Sequence, residues 1–137
     1  MRVFFFDFCI IPTGSMIPTY HPGDFILINK LHKSFDRGDV VVFNHEDKLL
    51  IKRVQGIAGD VITRKDNSWY VNDNLISTDN EETYEQINKE TEISFPYTVP
   101  KGYIWVCGDN NNDSRDSRLF GAIPIISIVS TKIISFK

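Results

Sequence analysis

The 137-residue chain has little that would commit it to metal, redox or nucleic-acid chemistry. It holds two cysteines, Cys9 and Cys107, far apart and without a CxxC or histidine-spaced neighbour, so zinc and thioredoxin-like redox sites have no sequence support. The pair stands as two small buried hydrophobes or as one disulfide. There is no excess of positive charge: 15 Lys and Arg against 18 Asp and Glu give a formal net charge of -3 and leave no basic stripe to neutralise phosphates, which argues against a nucleic-acid partner. No apolar run approaches the ~20 residues of a membrane-spanning helix. The opening "MRVFFFDFCII" is short, carries Asp7 and lacks a small-residue cleavage site, so it reads as neither a span nor a signal peptide. Helical periodicity is scarce too. The three histidines, His21, His32 and His45, sit in polar turn segments without an evident orienting carboxylate, so nothing favours a Ser-His-Asp arrangement.

What the chain does have is short runs rich in Val, Ile, Phe, Tyr and Trp between turn signals. Strands are expected at 3–11, 25–30, 39–43, 49–57, 61–65, 68–72, 75–77, 103–107 and 125–136. Gly-Asp pairs at 23/24, 38/39, 59/60 and 108/109, together with "NDN" and "PKG", punctuate them. The fold class implied is mainly β, with coiled antiparallel sheets or a folded β-barrel, in a single domain over 1–137. Residues 78–94, acidic and with only Tyr84, Ile87 and Ile93 as apolar anchors, read as a surface loop holding one helical turn at most.

One strand run breaks the apolar pattern. In "LLIKRVQGI", alternation places Leu50, Lys52 and Val54 on one face and Leu49, Ile51 and Arg53 on the other, with apolar neighbours on both. A lysine so placed ordinarily snorkels from an edge or pairs with an acid. Burial has a further effect: it disfavours the ammonium and can lower the pKa by ~3 to 5 units, which makes lysine a general base near neutral pH. Such a base needs a hydroxyl to deprotonate. Ser15, in "PTGSMIPT", follows Gly14 and lies between Pro12 and Pro18, a stiff turn that also suits a nucleophile.

Four blocks, "IPTGSMIPTYHPGDFILINK", "RGDVVVF", "IKRVQGIAGD" and "GDNNNDSRDSRLFG", spread in that order from residue 11 to 121, resemble the catalytic region of type I signal peptidases. The resemblance implies a serine endopeptidase with a Ser-Lys dyad that needs no metal or cofactor. Ser15 falls on the nucleophile, Lys52 on the general base, and Thr13 on the hydroxyl that joins the Ser15 N–H in holding the oxyanion. Ser114 matches a serine that hydrogen-bonds the catalytic lysine, Asp116 and Arg118 an ion pair that supports the site, and Gly108, Asp109 and Asn110 shape the loop. Arg53 is expected to pair with a nearby acid. Ile11, Met16, Tyr20, Leu50 and Ile51 match pocket walls for substrates cut after small residues in an Ala-x-Ala pattern, with the substrate added as a strand along 8–12 and 49–52.

The implied partners are preprotein signal peptides and a membrane lipid surface, and the implied location is the extracytoplasmic side of a bacterial cytoplasmic membrane. Family members carry spanning helices ahead of the serine block, so an N-terminal anchor is expected to have been trimmed here, leaving an exposed Phe4-Phe5-Phe6 patch. Asn111 stands where an arginine is common, and the stretch from Lys65 to Pro100 is short for the family. Two alternatives stay open: a related Ser-Lys peptidase for one dedicated substrate, such as a conjugation or pilus protein, and an inactive β-domain that binds extended peptides.

Overall fold

The computed structural model of the chain describes residues 6–29, 35–130 and 132–136. Among these described residues twelve strands and two α-helices run in the order β1 (Phe6–Ile10), β2 (Phe25–Asn29), β3 (Val40–His45), β4 (Lys48–Gly56), β5 (Val61–Lys65), β6 (Ser68–Val71), β7 (Asn74–Thr78), α1 (Glu81–Glu90), β8 (Tyr97–Thr98), β9 (Tyr103–Cys107), α2 (Ser117–Phe120), β10 (Ile123–Pro124), β11 (Ile128–Ser130) and β12 (Lys132–Phe136). They form three sheets, in strand orders β1-β2-β12, β10-β9-β4-β3-β11 and β7-β6-β5-β8. All pairings are antiparallel. The expectation of a mainly β chain built from antiparallel sheets holds.

Local chemistry sets the hairpins. β3 and β4 are joined by Glu46 and Asp47, and β6 and β7 by Asn72 and Asp73, all four at positive φ. Two consecutive residues in that region give the turn whose twist matches paired strands, and Asn and Asp tolerate it best among non-glycine residues. At the β4 bulge a Cβ on Gly56 would lie 3.1 Å from Trp105 Cβ, so a bare α-carbon lets β9 close against β4.

The strand faces sort the core into three parts. Val54 and the flanking Leu50 pack with Val41, Phe43, Ile104 and Val106 on one side of the central sheet. Ile51, from the opposite face of β4, packs with Ile11, Ile26, Ile28 and Val42. A third cluster, around Trp69, Trp105, Val99 and Leu119, joins the last sheet to the central one. The predicted alternation along β4 is thus realised, and Lys52 is the one charged member of the Leu50–Val54 face.

Two expectations need correction. Residues 78–94 are not a loop with a single turn: Glu81–Glu90 form a three-turn helix, capped by the Asn80 side chain, which accepts from Thr83 N at 2.8 Å. Glu81 and Glu82 in its first turn and Lys89 in its last complement the helix dipole. Only Ile87 is buried, so hydrophobic periodicity had almost nothing to register. The helix is held from outside by Arg64 of β5, whose guanidinium lies over the rings of Tyr84, Trp69 and Phe95 at 4.8, 5.2 and 5.7 Å. The second correction concerns 125–136, which begins with a 3-10 turn at Ile125–Ser127 and then divides between two sheets as β11 and β12. Phe4 and Phe5 of the expected lipid-facing patch, and the start of the first expected strand, lie outside the described residues.

Candidate active site

The segment that follows β1 is pinned at Ile11 before it reaches Ser15. Ile11 N donates to Asp24 O at 2.8 Å and Ile11 O accepts from Gly23 N at 2.8 Å. The chain then coils through one tight turn, with Ile17 N bonded to Gly14 O at 3.1 Å and Tyr20 N to Met16 O at 2.9 Å. Ser15 sits on this turn, 5% exposed. Its carbonyl accepts from Asn110 N at 2.8 Å, and the Gly14 carbonyl accepts from Asn110 Nδ2 at 2.9 Å. The loop after β9 is therefore stitched to the serine turn. Exposed Thr13 carries its hydroxyl 3.4 Å from Ser15 Oγ.

Lys52 projects from the middle of β4 and is 4% exposed. It makes no hydrogen bond or ion pair with any described residue. Burial holds its pKa below the ordinary lysine value; Asp116, Cys107 and Asp113 pull it partly back up, while Arg118 pushes it down. The carboxylates and the guanidinium that act on Lys52 thus come from the loop that contacts Ser15, while burial raises the pKa of the neighbouring Cys107 thiol of β9 and keeps it protonated.

That loop, residues 108–118, is built around Asp116. Its buried carboxylate accepts from Gly108 N at 3.0 Å, from Ser114 Oγ at 2.8 Å, and from the Arg118 backbone N–H and guanidinium. A Cβ on Gly108 would lie 2.2 Å from Ser114 Oγ and 2.6 Å from Ser15 O, so glycine is required for the two walls to meet. Arg118, 1% exposed, places its guanidinium between two buried carboxylates: Nε donates to Asp116 at 2.8 Å and Nη1 to Asp79 at 2.8 Å. Burial opposes that charge and the two aspartates more than restore it, so the Arg118 pKa is raised. Asp79 also accepts from Trp69 Nε1 at 2.7 Å and from Asn111 Nδ2 at 3.0 Å. One strand residue further, Arg53 forks onto Asp109 at 2.8 and 2.9 Å, and Thr19 donates to the same carboxylate. The acid expected for Arg53 is therefore Asp109.

Beside the serine turn lies a groove of about 290 Å³ lined by Cys9, Ile10, Ile11 and Pro12 on one wall and by Leu49, Leu50 and Ile51 on the other, with Ile26 and Val42 at its floor. β4 pairs with β3 over Lys48–Arg53 but meets β9 only from Arg53 onward. Along Leu49–Ile51 its second edge has no strand partner among the described residues, and β1 is an edge strand of its own sheet. Of the predicted pocket walls, Ile11, Leu50 and Ile51 line this groove. Met16 and Tyr20 do not: Met16 is buried, its Sδ accepting from Asp109 N at 3.4 Å, and Tyr20 packs beneath with Ile11 and Ile26, its hydroxyl pKa raised by burial. No disulfide joins Cys9 to Cys107, and among the described residues no His, Cys, Asp and Glu cluster is placed to hold a metal.

Residues 1–136 match the family described as signal peptidase, peptidase S26. The chain belongs to that family. Signal peptidase I of Bacillus caldolyticus is 34% identical over 94% of this chain and 78% of its own length. Signal peptidase I S of Bacillus subtilis is 33% identical over 86% and 69%, and the chloroplastic thylakoidal processing peptidase 1 of Arabidopsis thaliana 33% over 92% and 40%. A crystal structure of a signal peptidase I from Enterococcus faecalis V583 superposes with a TM-score of 0.51 at 24% identity, covering 74% of this chain and 98% of that one, a likeness of fold. As a member of the family the chain is a serine peptidase, a hydrolase. Sequence reading missed Asp79 in this site. It lies in the acidic stretch that looked like a solvated surface, and nothing in that composition marks one aspartate as buried.

Proposed function

We propose that this chain removes N-terminal signal peptides from exported preproteins by peptide-bond hydrolysis, with Ser15 as nucleophile and Lys52 as general base. The observation that carries the reading is the loop 108–118, which bonds to the Ser15 carbonyl through Asn110 and sets Asp113, Asp116 and Arg118 around a buried lysine that has no ionic partner among the described residues. A structural lysine would be expected to show such a partner. Neutral Lys52 takes the Ser15 proton as Oγ attacks the scissile carbonyl. The Ser15 N–H and the Thr13 hydroxyl hold the oxyanion, and the resulting lysinium protonates the departing amine. Water, deprotonated by Lys52, then releases the acyl group and regenerates Ser15.

The apolar groove between β1 and β4 takes the acyl side of the substrate as an added strand, where shallow walls at Ile11, Leu50 and Ile51 favour small residues in an Ala-x-Ala pattern. The exposed Ile10 and Leu49 at the groove rim suit work at a bacterial membrane surface, on its extracytoplasmic side. Among the described residues no helix is long and apolar enough to cross a membrane. The test is to incubate the chain, in detergent and in lipid, with a peptide carrying an Ala-x-Ala site and to compare it with Ser15→Ala and Lys52→Ala by mass spectrometry. Cleavage after the second alanine by the unaltered chain alone supports the reading. An intact peptide under both conditions favours a dedicated substrate or a binding domain.

A further inference from the structure

The buried ion network does not end at the residues that surround Lys52. Arg118 is shared between Asp116, which faces the lysine, and Asp79, which comes from the end of β7 on the far side of the guanidinium. Asp79 is fixed in turn by Trp69 Nε1 at 2.7 Å and Asn111 Nδ2 at 3.0 Å, so it has little freedom to follow or release the arginine. Arg118 Nη2 is tied to the carbonyls of Asn111 and Ser114 at 2.8 and 3.3 Å. One positive charge therefore sits between two carboxylates, and what it withholds from one it gives to the other.

We propose that Asp79 is a positioning residue of the active site: by holding the outer side of Arg118 it sets how much of the Asp116 charge reaches Lys52. The inference rests on the assignment of Lys52 as the base. The groups that face Lys52 are Asp116, Asp113 and Arg118 from the loop and α2, and Cys107 from β9. Asp79 touches neither Ser15 nor Lys52 by hydrogen bond or ion pair, and acts through Arg118. Removing its charge leaves Arg118 less neutralised and drawn onto Asp116, so Lys52 meets a more positive surrounding and loses its proton more readily. Removing the Asn111 amide has the opposite sign. Asp79 then has one donor fewer, attracts Arg118 more strongly, and leaves Asp116 freer to stabilise the lysinium.

The experiment follows the Lys52 side chain in the whole chain labelled with 13C at the lysine ε-carbons, its resonance identified by its loss in Lys52→Ala, and needs no substrate. In Asp79→Asn the Lys52 titration midpoint should fall by about half a pH unit or more, and in Asn111→Ala it should rise. Asn111 is partly exposed, so that variant tests the proposal even if Asp79→Asn does not fold. The acid limb of kcat/KM for the Ala-x-Ala peptide should move in the same directions. Midpoints unchanged in both variants, or lowered stability with an unshifted midpoint, overturn the proposal and leave Asp79 a structural residue. A shifted midpoint in a chain that cleaves no peptide leaves this coupling standing and defeats the peptidase reading instead.

Discussion

Lys52 concentrates the energetics of the site in one side chain. Its pKa is lowered on folding by burial, so the unfolded chain binds that proton more tightly than the folded one. The penalty is full below the folded midpoint and fades as pH rises through the unfolded value of ~10.4. Two outcomes follow. Peptide cleavage should climb from acid to alkaline between roughly pH 6 and 9 as Lys52 deprotonates, and a flat profile would count against it as the base. Lys52→Met, which keeps the volume and removes the amine, should abolish cleavage while raising Tm in calorimetry at neutral pH, because a buried amine with no ionic partner among the described residues is replaced by an apolar group. Ser15→Ala should lower kcat/KM by ~10³-fold or more with Tm nearly unchanged, and Thr13→Val should cost ~10²-fold if its hydroxyl serves the oxyanion.

The turns and loops impose sharper limits than the strands they join. Gly108→Ala puts a methyl group 2.2 Å from Ser114 Oγ and 2.6 Å from Ser15 O, so it should destabilise the chain by ~1–3 kcal/mol and suppress cleavage further than its stability loss explains, measured by urea unfolding beside kinetics. At the β4–β5 turn, Asp60 accepts from Ile57 N at 2.8 Å, from Asn72 and from Arg37 Nε and Nη2, and the Arg37 hydrogen bond leads in lowering its pKa to about 2. Its contribution is present above the unfolded carboxylate range and lost as pH falls through about 2. Asp60→Asn should therefore cost ~1–3 kcal/mol at neutral pH and flatten the acid slope of stability between those limits. These elements also mark what the sequence discloses. β3 and β4 were legible because Val, Ile and Leu alternate across two buried faces, and their Lys52 stood out for the same reason. The serine turn and the loop 108–118 became legible only as blocks of a known pattern, since Gly, Asn, Asp and Ser compose any polar turn. Helix α1 and Asp79 were not legible: the helix buries Ile87 alone and is held by aromatic rings around Arg64 that no local periodicity reveals.

At the scale of the molecule, the central sheet and the β7-β6-β5-β8 sheet are tied together where Arg118 binds Asp116 and Asp79, one carboxylate from the 108–118 loop and one from the β7–α1 connection. Arg118→Met strands both charges in the interior and should cost ~3–5 kcal/mol, seen as a lowered urea midpoint and as loss of a single cooperative transition. The groove beside the serine turn is open rather than tied. β1 and the Leu49–Ile51 stretch of β4 face each other across an apolar slot. A peptide seated there would join the first sheet to the central one, and its backbone would serve both as ligand and as a strand supplied from outside. Folding and substrate binding are then linked: a Ser15→Ala chain holding uncleaved peptide at 100 times Kd gains about 2.7 kcal/mol of stability. On the proposed binding mode, the substrate would complete the sheet system, and each turnover would take that strand away again.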